Sequence, residues 1–312
     1  MSNYKTFSKL QYICKNIFIR RVVLEKIGFV TDSSSDIPAE IAARLGIKIV
    51  PLYIGIDGKA YKDQSEIMPD EVFSALKAGK KVTTAAPSPG DFQKVFKKLL
   101  EEEGADFIYC VTLSSKLSGT YNAANIAKSF FDKSKIRIID SKTSTICLGF
   151  ILMQAAEAFK SGMDNESIGM IIEELVEKNR FIALLESFEY VFKGGRAVFF
   201  GKLVEKAIKL VPILNIGKNG KVRLKKFAKN NETALNELYR QTVAIAKMNP
   251  LNLIGIFYGS DINPALELQE RIRKNGQIKF KDIIISRITT VISAHTGPGI
   301  VGLAISPVKT GK

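Results

Sequence analysis

A repeating unit constrains this chain more than any other feature: a β-prone apolar run, a hydroxyl-rich junction, then a helical pattern. The clearest instance is Asp106 to Val111, followed by Thr112-Leu113-Ser114-Ser115-Lys116-Leu117-Ser118-Gly119-Thr120 and a helical stretch from Ser118 to Phe131. Lys26 to Thr31 is another such run. Asp32-Ser33-Ser34-Ser35-Asp36 follows it, and a helix opens at Ile37-Pro38, with Asp36 and Pro38 as its start signals. Alternation of this kind predicts a parallel sheet with helices packed on it. Ligands of such sheets sit outside the carboxyl ends of the strands, where these junctions lie. A helix N-terminus there offers free N–H groups to an anion. Ser and Thr also cap helices everywhere, but Ser114, Ser115, Ser118 and Thr120 together point to a site.

Further along, the spacing predicts one strand over Ile47 to Ile54 and a turn at Asp57-Gly58. Helices follow over Pro69 to Lys77, Asp91 to Glu103, Thr143 to Lys160 and Glu166 to Lys178, the last two amphipathic. Two prolines and a glycine make Val82 to Gly90 a loop, and Ile136 to Ile139 a strand ends in Asp140-Ser141. After about Asn179 the pattern becomes mixed. Strands are expected at Phe181 to Leu185, Leu210 to Ile216, Lys221 to Phe227, Asn252 to Tyr258, Phe280 to Ser286, Thr289 to Ser293 and Ile300 to Ile305. Helices are expected at Thr233 to Lys247 and Pro264 to Lys274, and Lys218-Asn219-Gly220 is a hairpin turn. The resulting layout is a basic extension over 1–25, a parallel-sheet α/β domain over 26–179 and a mixed α+β domain over 180–312.

Several function classes drop out. The formal net charge is +15, yet Lys and Arg are interspersed with Asp and Glu and no nucleic-acid motif is present. No apolar run reaches the roughly 20 residues that span a bilayer. Cys14, Cys110 and Cys147 are odd in number and far apart, which fits structural thiols in a reducing, cytoplasmic setting. One histidine and no CxxC leave no metal site. Gly297-Pro298-Gly299-Ile300-Val301-Gly302 fits GxGxxG, but a β-prone run follows it and no acidic residue comes after, so it is not a dinucleotide fingerprint. P-loop and GxSxG motifs are absent from the sequence. Residues 1–24 interleave Lys and Arg with apolar side chains. They read either as an extension without fixed structure or as a basic helix touching a membrane surface transiently. His295 is the lone histidine and stands beside Thr296. It is either structural or a hydrogen-bond partner for a carboxylate or phosphate. Together with Ser114 or Ser115 it also leaves open a serine hydrolase or transferase.

Six segments occur in a fixed order: Val30 to Pro38, Thr84-Ala85-Ala86-Pro87-Ser88, Thr112 to Asn122, Asp140-Ser141-Lys142, Lys193-Gly194-Gly195-Arg196 and Ala294 to Gly299. Over about residues 26–306 the chain thereby resembles the DegV family, bacterial fatty-acid-binding proteins that serve as acyl-carrying subunits of fatty acid kinase. The resemblance implies two α/β domains with a long-chain fatty acid between them, its carboxylate held by Thr84, by the Ser114-Ser115 pair and by His295. It implies an ATP-binding kinase partner that phosphorylates the carboxylate, no cofactor beyond the bound fatty acid, and no catalysis by this subunit alone. The Lys193 to Arg196 segment reads as a helix C-cap, and the resemblance adds that Arg196 supports the site loops or meets the kinase. Two departures stand out. Ala85-Ala86 replace the Ser-Gln usual after the threonine, and Ala228 stands where an arginine is common.

Overall fold

The structure is a computed structural model that describes residues 25–186, 189–193 and 210–309. Up to Lys178 the elements are β1 (Ile27–Asp32), α1 (Ala39–Leu45), β2 (Ile47–Val50), β3 (Tyr53–Ile56), β4 (Lys59–Lys62), α2 (Pro69–Lys77), β5 (Val82–Ala85), α3 (Pro89–Lys97), β6 (Phe107–Thr112), α4 (Thr120–Lys128), β7 (Ile136–Asp140), α5 (Thr145–Lys160) and α6 (Asn165–Lys178). Beyond it come β8 (Arg180–Leu184), α7 (Glu189–Lys193), β9 (Val211–Ile216), β10 (Val222–Ala228), α8 (Asn231–Ala246), β11 (Asn252–Tyr258), α9 (Asn263–Arg273), β12 (Phe280–Arg287), α10 (Thr290–Thr296) and β13 (Val301–Pro307).

Three sheets result. The first is parallel, in the order β2-β1-β6-β7. The second has the order β10-β9-β8-β13-β11-β12 and is mixed, since only β11 and β12 run parallel. The third is a small antiparallel sheet, β4-β3-β5. The two-residue period of a strand sorts the side chains between layers. In β1, Phe29 enters the central core while Val30 joins an outer core beneath Phe92 and Phe96 of α3. In β8, Ala183 faces the central core while Ile182 and Leu184 enter the outer core of α8 and α9.

The central layer is α5. It packs on β1, β2 and β6 on one side and on β11 and β13 on the other. All but three of its 16 residues are buried. It is therefore apolar all round rather than amphipathic, as a helix between two sheets must be.

Four sequence expectations are corrected. Ile47 to Ile54 is two strands in two sheets, because Pro51 has no N–H to donate to a continuous ladder. Val82–Ala85 is a strand on the edge of the small sheet. The prolines lie beyond it, and Pro89 opens α3 behind the Ser88 cap. Thr289 to Ser293 is not a strand but the start of α10; its β-branched residues carry only a weak preference against the helix. Asp36 does not cap α1, whose first turn follows Pro38 directly; its carboxylate is used elsewhere.

Candidate functional site

Where the three sheets meet lies an apolar cavity of about 890 Å³, its open mouth included. Each wall follows from the periodicity of its element. Phe181, Ala183 and Leu185 alternate along β8 and the residue after it, and Leu214 and Ile216 do so along β9. Val291, Ile292, His295 and Thr296 fall on one face of α10. Leu113, Leu117 and Ser118 come from the junction after β6, Ser144 and Thr145 from the start of α5, and Leu52 and Thr84 to Ala86 from the small sheet.

Thr84 and His295, 211 positions apart, are brought together here: Thr84 Oγ1 and His295 Nε2 share a hydrogen bond of 2.8 Å. Both are half-buried. Register places Thr84 opposite Ile54 on β5, and α10 ends just after His295 because Gly297 takes φ +73°. A Cβ at Gly297 would lie 2.2 Å from the Tyr190 ring, so this glycine serves both the turn and the packing there.

The serines divide differently from the sequence expectation. Ser114 is fully buried, and its hydroxyl donates to the Gly220 carbonyl at 2.8 Å, outside the cavity wall. Ser115 also lies outside the wall, and its N–H donates to Asp140 at 3.1 Å. Neither stands as a nucleophile facing the cavity. Ser118 does line it, 2.9 Å from the Thr120 hydroxyl. Arg196 lies outside the described residues, as does the extension over 1–24. Among the described residues no group of His, Cys, Asp and Glu is arranged to hold a metal ion, and no helix is long and apolar enough to cross a membrane. Cys110 and Cys147 are free and buried; burial pushes the Cys147 thiol up to about 12.

Sequence reasoning missed three buried acids that hold this site in place. Asp32 accepts from the Leu113 amide at 2.8 Å and from the Ser34 amide at 3.0 Å. Asp63 accepts from the Ser33 hydroxyl at 2.5 Å, and that hydroxyl accepts from the Leu52 amide at 3.1 Å. Leu113 and Leu52 are both cavity wall. Asp36 takes the Thr289 amide at 3.0 Å and Asp63 the Thr290 amide at 2.9 Å, which fixes the N-terminal end of the helix bearing His295. Burial raises all three carboxyls. Asp32 reaches about 6 although the Ser34 and Leu113 donors pull it down, and the Asp63 charge adds to the rise. The signal available in the sequence was the run Asp32-Ser33-Ser34-Ser35-Asp36, whose acids and hydroxyls pair across the fold.

The sequence profile described as "Uncharacterised protein, DegV family" matches residues 26–308. The chain belongs to the DegV family. It is 31% identical to a DegV domain-containing protein of Caldanaerobacter subterraneus subsp. tengcongensis, over 90% of this chain and 98% of that one. Among solved structures, a fatty-acid-binding DegV family protein from Thermus thermophilus superposes with TM-score 0.85 at 28% identity, covering 90% of this chain and 99% of that one. A Thermotoga maritima protein, reported to reveal a fatty acid binding function, gives 0.79 at 26% identity, covering 91% and 99%. The DegV fold, a parallel sheet beside a mixed sheet, is thus the fold of this chain.

Proposed function

We propose that this protein binds one long-chain fatty acid in the apolar cavity, with the carboxylate at Thr84 and His295, and presents it to an ATP-dependent kinase for acyl-phosphate formation. The observation that carries this reading is the Thr84–His295 hydroxyl–imidazole pair on a mostly apolar wall, whose other polar side chains are the hydroxyls of Ser118, Ser144, Thr145 and Thr296. Burial of each methylene gains about 0.8 kcal/mol, so the tail supplies most of the affinity. A buried carboxylate must be hydrogen-bonded, and Thr84, Ser118 and His295 can do this without an Arg or Lys clamp. Hydroxyl and imidazole donors leave the carboxylate oxygens nucleophilic, whereas an Arg or Lys clamp would stabilise the ground-state anion. Ala85 and Ala86 line the cavity beside Thr84 and keep the polar set small. The relatives reported to bind fatty acid support the same ligand class. The setting that fits two buried free thiols is the reducing cytoplasm.

The test compares Thr84→Ala with the unaltered chain in two assays: equilibrium binding of a long-chain fatty acid, and acyl-phosphate formation with the kinase subunit and ATP. One lost hydrogen bond should weaken binding only by about 1 kcal/mol, a factor of about five. Acyl-phosphate formation should fall by about ten-fold or more, because the carboxylate loses its orientation. Equal losses in both assays would contradict the role given to Thr84.

A further inference from the structure

A second concavity, of about 710 Å³ with its mouth, shares Phe181 and Ile216 with the apolar cavity. Its character is opposite. Lys142, Arg180, Lys218 and Arg223 line it, and Glu177 is the one acid among its lining residues. Lys142 Nζ sits 2.9 Å from Glu177 Oε1, which neutralises one charge. Arg180 donates through Nη1 to the carbonyls of Glu177 and Asn179 at 2.7 and 2.9 Å; these fix the guanidinium but leave its charge uncompensated. Lys218 and Arg223 form no ion pair within 4 Å among the described residues, and Glu177, already paired with Lys142, is the one acid lining the pocket. The field of the cluster shows in Glu177, which Lys142 first, then Lys218 and Arg180, hold below the ordinary carboxylate range.

The pocket is built, not merely charged. Lys142 follows the carboxyl end of β7, where parallel sheets place ligands. The facing wall is the β9–β10 hairpin, pinned to the first sheet by the Ser114 hydroxyl on the Gly220 carbonyl. The Arg223 guanidinium lies so close over Gly217 that a Cβ there would come within 2.7 Å of Nε.

We infer that this pocket binds a small phosphate-bearing anion, with Arg180 and Arg223 as planar forks and Lys218 as a point charge. Three uncompensated cations match a di- or trianion, and guanidinium geometry fits phosphate oxygens. A monocarboxylate would satisfy one of the three. The inference is independent of what fills the apolar cavity.

The experiment titrates inorganic phosphate and pyrophosphate into the full chain by calorimetry at low ionic strength, against matched chloride. Saturable one-site binding is expected. Arg223→Ala should weaken it about ten-fold, the usual loss for a hydrogen bond to a charged group. Lys274→Ala, at the C-cap of α9 on the surface, should leave it unchanged. Should Arg223→Ala fail to fold, Lys218→Ala carries the same comparison. Phosphate binding that is absent, that survives both pocket substitutions, or that falls equally in Lys274→Ala overturns the site. Vesicles of phosphatidylcholine with and without phosphatidic acid form a second arm. Binding to the phosphatidic acid vesicles with none to free phosphate would also overturn it, by making the surface a membrane contact.

Discussion

At the scale of single residues, the buried acids make a pH signature of their own. Asp32 moves from an ordinary 3.8 to about 6, chiefly because burial penalises its charge. The folded protein therefore takes up this proton at a higher pH than the unfolded chain does. Its contribution to stability is fully present below about pH 4 and is lost as the pH rises through 6. For one group the span is on the order of 3 kcal/mol. Asp36 and Asp63 shift in the same direction. The ion-paired Glu237, held at about 2 mainly by Arg240, acts in the opposite sense, but only below its ordinary 4.5. The urea midpoint should thus rise between pH 7 and pH 5. Asp32→Asn should lower stability, since its amide sets a donor against donors, and should flatten that slope. A slope unchanged by the substitution would show that Asp32 does not titrate in this window. Of the site residues, Thr84 was legible only through the family resemblance, while His295 stood out as the lone histidine; nothing in the 211-position separation says that they touch. Ser118 was hidden among four similar hydroxyls, because spacing cannot tell which of them faces a void.

At the scale of elements, α5 explains the close joining of the two large sheets. Gly149 lies in its middle, where alanine would ordinarily stabilise the helix by about 1 kcal/mol. Here a Cβ would stand 2.7 Å from the Ser35 carbonyl oxygen and 2.8 Å from Ile37. Backbone cannot yield as a flexible side chain can, so the overpacking term wins. Gly149→Ala should destabilise the protein by about 1–3 kcal/mol in urea, and a gain in stability would contradict the sandwiched placement. The sequence showed where most strands and helices run, because alternation and 3.6-residue periodicity are local. It failed where a non-local partner decides. Pro51 splits a run that otherwise reads as one strand, and Ile54 pairs with Thr84 rather than staying beside β1. The start of α10 is held by Asp36 and Asp63, which lie more than 200 positions away.

At the scale of the whole molecule, three sheets close around a space that apolar patterning alone cannot reveal, since a core lined by Leu, Ile and Val reads the same whether filled or hollow. The walls alternate so that β8 gives Phe181, Ala183 and Leu185 to the cavity and Ile182 and Leu184 to a packed core. A mostly apolar wall with a hydroxyl–imidazole pair and a few further hydroxyls is suited to a long amphiphile with an anionic end. The most direct measurement is denaturing extraction of the purified protein followed by mass spectrometry, before and after incubation with a mixture of long-chain fatty acids. One fatty acid per chain is expected, with His295→Ala retaining most of it because the tail carries the affinity. Protein that comes without an acyl chain and takes up none when it is offered would contradict the account.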